Sequence, residues 1–178
     1  MSMALRYPTR MLHRITDITP EFLSSLGITA LLLDVDNTLS EHDSQSPYPG
    51  SLEWVSSMRK NGIQMIILSN NTRERVEPFA AQYGLPFLTY AMKPLPVGYL
   101  RAVHQLGVSH RNCAAVGDQI FTDIVGANLC GIKSILLEPI LEETSRSFRI
   151  RRKLERSIRG KMAVKEAEWA TRKENSRE

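Results

Sequence analysis

Four aspartates, a serine, three asparagines, two threonines and a lysine stand where the sequence leaves an apolar run and becomes polar. Asp34-Val35-Asp36-Asn37-Thr38 follows Leu31-Leu32-Leu33, Ser69-Asn70-Asn71 follows Ile66-Ile67-Leu68, Lys93-Pro94 comes soon after the short run near 86–89, and Gly117-Asp118 follows Ala114-Ala115-Val116, with Thr122-Asp123 just beyond. Alternate residues of an extended chain project to one side, so Asp34 and Asp36 can face one pocket while Val35 faces the core. One carboxylate then suits a nucleophile and its neighbour an acid and base. Acids gathered without a cation repel one another. Asp34 and Asp118 therefore imply Mg²⁺, a hard cation that takes one or two carboxylates, water and phosphate oxygens. Lys93 offsets the charge of an incoming phosphoryl group, and Ser69 and backbone amides donate to its oxygens.

The elements that must position these residues have a rhythm. Glycines at 27, 62, 84, 107 and 131 each stand between a helix-like stretch and an apolar, strand-like one. A glycine just past a helix end supplies the left-handed residue that stops the helix, and a strand can begin at once. The pattern predicts strands near 28–34, 63–68, 86–89, 112–117 and 133–137, with helices near 51–61, 72–83, 95–106 and 121–130. Alternation of this kind predicts an α/β fold, a doubly wound parallel sheet with right-handed crossovers. The strands are continuous apolar runs, as expected when both faces are covered. Ligands bind such sheets at the carboxyl ends of the strands, where the residues named above fall.

In this order, DxDNT, a strand ending in Ser-Asn, Lys-Pro and GDxxxTD resemble the haloacid dehalogenase superfamily of phosphohydrolases. Asp36-Asn37-Thr38-Leu39, Leu68-Ser69-Asn70-Asn71, Ala91-Met92-Lys93-Pro94 and Val116-Gly117-Asp118-Gln119-Ile120-Phe121-Thr122-Asp123 resemble its YqeG-type subgroup over about residues 10 to 162, a subgroup related to mitochondrial phosphatidylglycerophosphate phosphatases. The resemblance implies that Asp34 is the nucleophile and that Asp36 is the acid and base, with its backbone carbonyl on Mg²⁺. Asp118 is then the other protein metal ligand, and Asp123 an occasional ligand or an orienter of the site. Ser69 and Asn70 hold the phosphoryl group, Lys93 stabilises it together with Asp34, and Thr38 ties down the turn. Asn71 reads as a turn or cap residue. His13, His42, His104 and His110 are scattered and receive no role.

Relatives that grip small metabolites carry a cap domain between these motifs. Here 33 positions separate Asp36 from Ser69 and 23 separate Asn70 from Lys93, too few to house one. The expected site is open, suited to a phosphate displayed on something larger. The core is expected over 1–143, a basic amphipathic helix over 144–170 and a disordered tail over 171–178. Residues 1–143 carry a net charge of −3 and residues 144–178 carry +7. Ile150, Leu154, Ile158 and Met162 recur every four residues among arginines and lysines. Such a stripe suits the interface of an anionic phospholipid membrane, each basic residue adding roughly 1 kcal/mol. It equally suits packing against the domain or a second subunit, so the oligomeric state stays open. Nucleic acid fits less well, because aromatics are not interleaved with the charge.

The whole chain, 178 residues with 42% hydrophobic and 24% charged, suits one globular domain and excludes collagen-like and wholly disordered classes. Cys113 and Cys130 lack metal-site spacing and read as buried thiols of a reducing compartment. No apolar run reaches the roughly 18 residues of a membrane span. The N-terminus holds Arg6, Arg10 and Arg14 without the apolar core of a secretory signal, which leaves an organellar transit peptide as the alternative. A cytoplasmic enzyme at the inner face of a membrane is the expected setting. Three alternatives stay open: a protein, a nucleotide or polynucleotide-end phosphate as substrate, or a non-catalytic module that binds anions.

Overall fold

The computed structural model describes residues 3–42, 44–139 and 155–165. Six parallel strands form one sheet: β1 (Arg10–Leu12), β2 (Ala30–Leu33), β3 (Gln64–Leu68), β4 (Phe87–Leu88), β5 (Cys113–Gly117) and β6 (Lys133–Leu137). Their spatial order is β1-β6-β5-β2-β3-β4. Helices α1 (Pro20–Ser25), α2 (Ser51–Lys60), α3 (Arg73–Tyr83), α4 (Pro96–Leu106) and α5 (Val125–Leu129) connect them.

The central strand explains the apolar runs. Leu31 and Leu33 enter a layer with Trp54, Met58, Phe79 and Ile135, while Ala30 and Leu32 enter the opposite layer with Tyr99, Ala102 and Ala127. Both faces of β2 are dry, so no polar alternation survives in its sequence. Each such leucine contributes about 2 kcal/mol through its burial. Register then does the positioning. Leu33 stands opposite Ile67 of β3 and Val116 of β5, so the residues after all three leave the sheet at one edge.

Two expectations need correcting. The first concerns the N-terminus, where β1 pairs with β6, Arg10 opposite Ile135, and Thr9 N–H donates to Ser134 O at 2.8 Å. Three residues with no apolar run carry no strand signal, and the pairing partner alone makes them extended. Arg6 lies over the Phe121 ring. The second concerns the helix expected over 121–130. Ile120–Ile124 is a wide π-type turn and regular helix begins at Val125. The amides of Asp123 and Ile124 both donate to Gln119 O, at 2.9 and 3.4 Å.

Residues 155–165 are helical. Ile158 and Met162 are buried, and Ile158 packs with Ile120, Ile124 and Leu136. The described part of the apolar stripe therefore faces the domain rather than a membrane. Ile150 and Leu154, with the rest of the expected 144–170 helix and the 171–178 tail, lie outside the described residues. Arg156, Lys161 and Lys165 remain exposed on the outer face. Cys113 is buried and Cys130 half-buried, and both are free thiols. No helix among the described residues is long and apolar enough to cross a membrane.

Candidate active site

The chain leaving β2 is the first wall of the site. Asp34 N–H still donates to Val116 O at 2.9 Å, which continues the pairing one residue beyond the strand. The amides of Thr38, Leu39 and Ser40 then converge on Val35 O, and Asn37 takes a left-handed φ of 55°. The Thr38 hydroxyl, expected to tie down this turn, is buried with no hydrogen-bond partner among the described residues and lines a cavity of about 260 Å³ with Asn37, His13, Tyr48 and Glu138. Tyr83 from α3 pins the loop from below, donating to Leu39 O at 3.0 Å and standing 2.7 Å from Ser51 Oγ.

The second and third motifs are joined to each other. Asn70 Nδ2 donates to Lys93 O at 3.1 Å, and Lys93 N–H donates to Asn70 Oδ1 at 2.7 Å. Both ends of the Asn70 side-chain amide thus hold the Lys93 backbone. Ser69 is buried, and its Oγ accepts from Asn71 N–H at 3.1 Å.

Lys93 is the hub. Its Nζ lies 2.7 Å from Asp34 Oδ1 and 2.7 Å from Asp123 Oδ1, with all three side chains less than a tenth exposed. Oxygens of Asp34, Asp118 and Asp123 come within 4.8 Å of one another. Three carboxyl groups thus gather in a dry place, two of them on one ammonium. Burial pushes the Asp34 carboxyl up to about 7, with Asp123 adding to the rise and Lys93 opposing it. Asp123 is raised by burial and by Asp118. Burial alone would lower Lys93, but Asp123 and Asp34 overcome it and hold the ammonium protonated.

The donor set fits a divalent cation. Oxygens around Mg²⁺ stand roughly 2.9 to 4.2 Å apart, so the trio needs only a small contraction to take one. Asp123 is held separately, since Gln119 N–H donates to its Oδ2 at 3.1 Å. Gly117 makes that placement possible, because a Cβ there would lie 2.4 Å from the Asp123 carboxyl carbon.

Asp36 stands apart from the acidic trio. Asn71 Nδ2 donates to its Oδ2 at 2.7 Å, Arg75 Nη2 donates to its Oδ1 at 3.0 Å, and His42 Nδ1 is 3.8 Å from the same Oδ1. Asn71 is thus a site residue and more than a turn former, and Arg75 is one the sequence reading missed. The one available signal was spacing: Arg75 falls four residues after Asn71, in the first turn of α3.

Residues 6–131 match the family of haloacid dehalogenase-like hydrolases. The chain is 35% identical over 151 residues to "Probable phosphatase YqeG" of Bacillus subtilis (strain 168), covering 85% of this chain and 88% of that protein. In fold it resembles an uncharacterized protein from Listeria monocytogenes serotype 4b, with TM-score 0.54 and 19% identity over 67% of this chain and 84% of that one. It also resembles the cobalt-bound deoxy-D-mannose-octulosonate 8-phosphate phosphatase of Haemophilus influenzae, with TM-score 0.52 and 18% identity over 78% of this chain and 92% of that one.

Proposed function

The chain belongs to the haloacid dehalogenase-like hydrolase family, and from that premise we propose that it is a Mg²⁺-dependent phosphomonoesterase working through an aspartyl-phosphate. The observation that carries this reading is the buried meeting of Asp34, Asp118 and Asp123 with Lys93.

Asp34 is the nucleophile. Its Oδ2 attacks phosphorus while Oδ1 stays on Lys93, and the bond from phosphorus to the ester oxygen breaks in line. Asp36, oriented by Asn71 and Arg75, protonates the departing oxygen. It then takes a proton from the water that cleaves the aspartyl-phosphate, restoring Asp34 and releasing inorganic phosphate. Lys93 and the Ser69 hydroxyl meet the charge on the phosphoryl oxygens. Mg²⁺, held by Asp34, Asp118 and the Asp36 backbone carbonyl, would neutralise negative charge there and so let a phosphate dianion approach. Asp123 serves by holding Lys93.

The substrate we propose is a phosphate on a lipid headgroup, with phosphatidylglycerophosphate as the representative. Three features support it. No cap separates the motifs, Tyr90, Met92 and Leu95 beside Lys93 are each more than half exposed, and Arg156, Lys161 and Lys165 keep a basic outer face on the C-terminal helix. Exposed apolar residues beside a phosphate site suit a membrane surface better than a free metabolite. The enzyme would work as a cytoplasmic protein resting on an anionic leaflet.

The test is phosphate release from p-nitrophenyl phosphate and from phosphatidylglycerophosphate in vesicles, with and without Mg²⁺. Metal-dependent release from both, abolished in Asp34→Asn, supports the reading; release that survives in Asp34→Asn would sink the mechanism. Preference for nucleotides, phosphopeptides or polynucleotide ends would replace the lipid substrate.

A further inference from the structure

One turn of the C-terminal helix grips the segment that carries Asp118. Glu155 is 1% exposed, and its Oε1 accepts from Ile120 N–H at 2.9 Å. Arg159 Nη2 donates to Asp118 O, and Arg159 Nη1 donates to Leu137 O at 3.1 Å. The two side chains also face each other, with Arg159 Nη2 and Glu155 Oε2 3.4 Å apart. Residues 118 and 120 are therefore held from outside by groups four positions apart on one helix, with the β6 carbonyl as anchor.

The residue between them extends the effect. Gln119 N–H donates to the Asp123 carboxylate at 3.1 Å, and Gln119 O accepts from Asp123 N–H at 2.9 Å. The grip thus fixes the backbone from which Asp118 projects and the backbone that orients Asp123, two of the three carboxylates within 4.8 Å of one another. Apolar packing of Ile158 on Ile120 and Ile124 keeps the helix seated. Arginine is the residue suited to the task. Its planar fork spans two carbonyls from a half-buried position, which an ammonium does not reproduce.

We infer that Arg159 and Glu155 are positioning residues of the metal site: the C-terminal helix clamps the Asp118–Ile120 turn and thereby sets the affinity of the site for its cation. This rests on Asp118 being a metal ligand, as proposed above. Residues that orient metal ligands cost about 10- to 100-fold in metal affinity when changed. The clamp should therefore govern how much metal is needed rather than what the loaded enzyme does.

The experiment uses the full chain with Mn²⁺ as the probe, its binding followed by calorimetry and paramagnetic resonance. Mg²⁺ dependence of p-nitrophenyl phosphate turnover is measured in parallel. In Arg159→Ala, Mn²⁺ affinity is expected to fall about tenfold or more, with kcat at saturating metal and KM both close to those of the unaltered chain. Arg159→Lys should not restore the affinity, and Glu155→Ala should weaken it in the same sense. Ile158→Ala loosens the same helix without removing a hydrogen bond to the turn, so it should lower Tm while costing clearly less Mn²⁺ affinity than Arg159→Ala. Unchanged Mn²⁺ affinity in Arg159→Ala, or an equal loss in Ile158→Ala, would overturn the clamp. If the unaltered chain does not bind Mn²⁺ and Asp118→Asn changes nothing, the metal reading itself fails and the clamp with it.

Discussion

Arg75 reaches from the first turn of α3 to place Nη2 3.0 Å from Oδ1 of Asp36. The opposite oxygen of that carboxylate is taken by Asn71 at 2.7 Å, so a partner on each side fixes its plane. A group that must give a proton to one oxygen and take one from another gains from such fixing, because misplacement of about 1 Å can cost 10²-fold.

Arg75→Ala should therefore lower kcat by about one to two orders of magnitude with KM changed far less, since Arg75 acts through Asp36. Arg75→Lys should recover part of the loss by restoring one donor. Steady-state kinetics with circular dichroism as a folding control checks this. A fall in KM-dependent affinity with kcat intact would instead place Arg75 on the substrate.

Asp34 makes stability depend on pH in a defined sense. Burial pushes its carboxyl from an ordinary 3.8 up to about 7 in the folded chain. Between those values the folded chain holds a proton that the unfolded chain has released. The metal-free protein should therefore lose stability as pH rises from about 4 through about 7. Thermal melts of metal-stripped protein should show Tm falling across that interval, and Asp34→Asn should flatten the fall while abolishing turnover. Added Mg²⁺ should raise Tm more at pH 7.5 than at pH 5, because the cation competes with the proton.

Lys93 carries the opposite liability. It is the ammonium between two buried carboxylates at 2.7 Å each, so Lys93→Met strands Asp34 and Asp123 in a dry site. Removing one partner of a buried charge set costs about 3 to 5 kcal/mol. Activity should disappear in this variant, and Tm should drop at neutral pH but recover in part near pH 5, where the carboxyls take up protons. Melts at the two pH values decide it: an equal drop at both would mean that packing, not charge, is what Lys93 supplies.

Much of this was legible in the sequence because parallel strands buried on both faces leave continuous apolar runs, and the residue after each run must emerge at one edge. Asp34, Ser69 and Asp118 were found in that way. What the sequence hid depended on phase and partner rather than type. Asn71 and Arg75 meet Asp36 only because α3 starts where it does. The pairing of the Asn70 side chain with the Lys93 backbone was hidden because the strand-end loops approach more closely than spacing reveals. The stripe of the tail declared itself through Ile158 and Met162, but four-residue periodicity says nothing of which surface it covers. β1 gave no pattern at all, being a strand only through its partner β6.

Gly117 offers the sharpest steric prediction. A Cβ on it would stand 2.4 Å from Oδ2 and Cγ of Asp123. Asp123 cannot step aside cheaply, since Lys93 holds one oxygen and the Gln119 amide the other. Gly117→Ala should push the carboxylate off Lys93, leave a buried ammonium with one partner fewer and disturb the turn bearing Asp118. The expected outcome is loss of turnover by two orders of magnitude or more, with a Tm several degrees lower at about 2 to 4 °C per kcal/mol. Gly160 is the comparison, because it lies in the 155–165 helix with open space where a Cβ would stand. Gly160→Ala removes a helix-weakening residue worth about 1 kcal/mol and should raise Tm slightly with activity intact. Side-by-side melts and phosphate-release rates of the two alanine variants test the idea, and a Gly117→Ala enzyme with full activity would mean that Asp123 is free to move without consequence for Lys93.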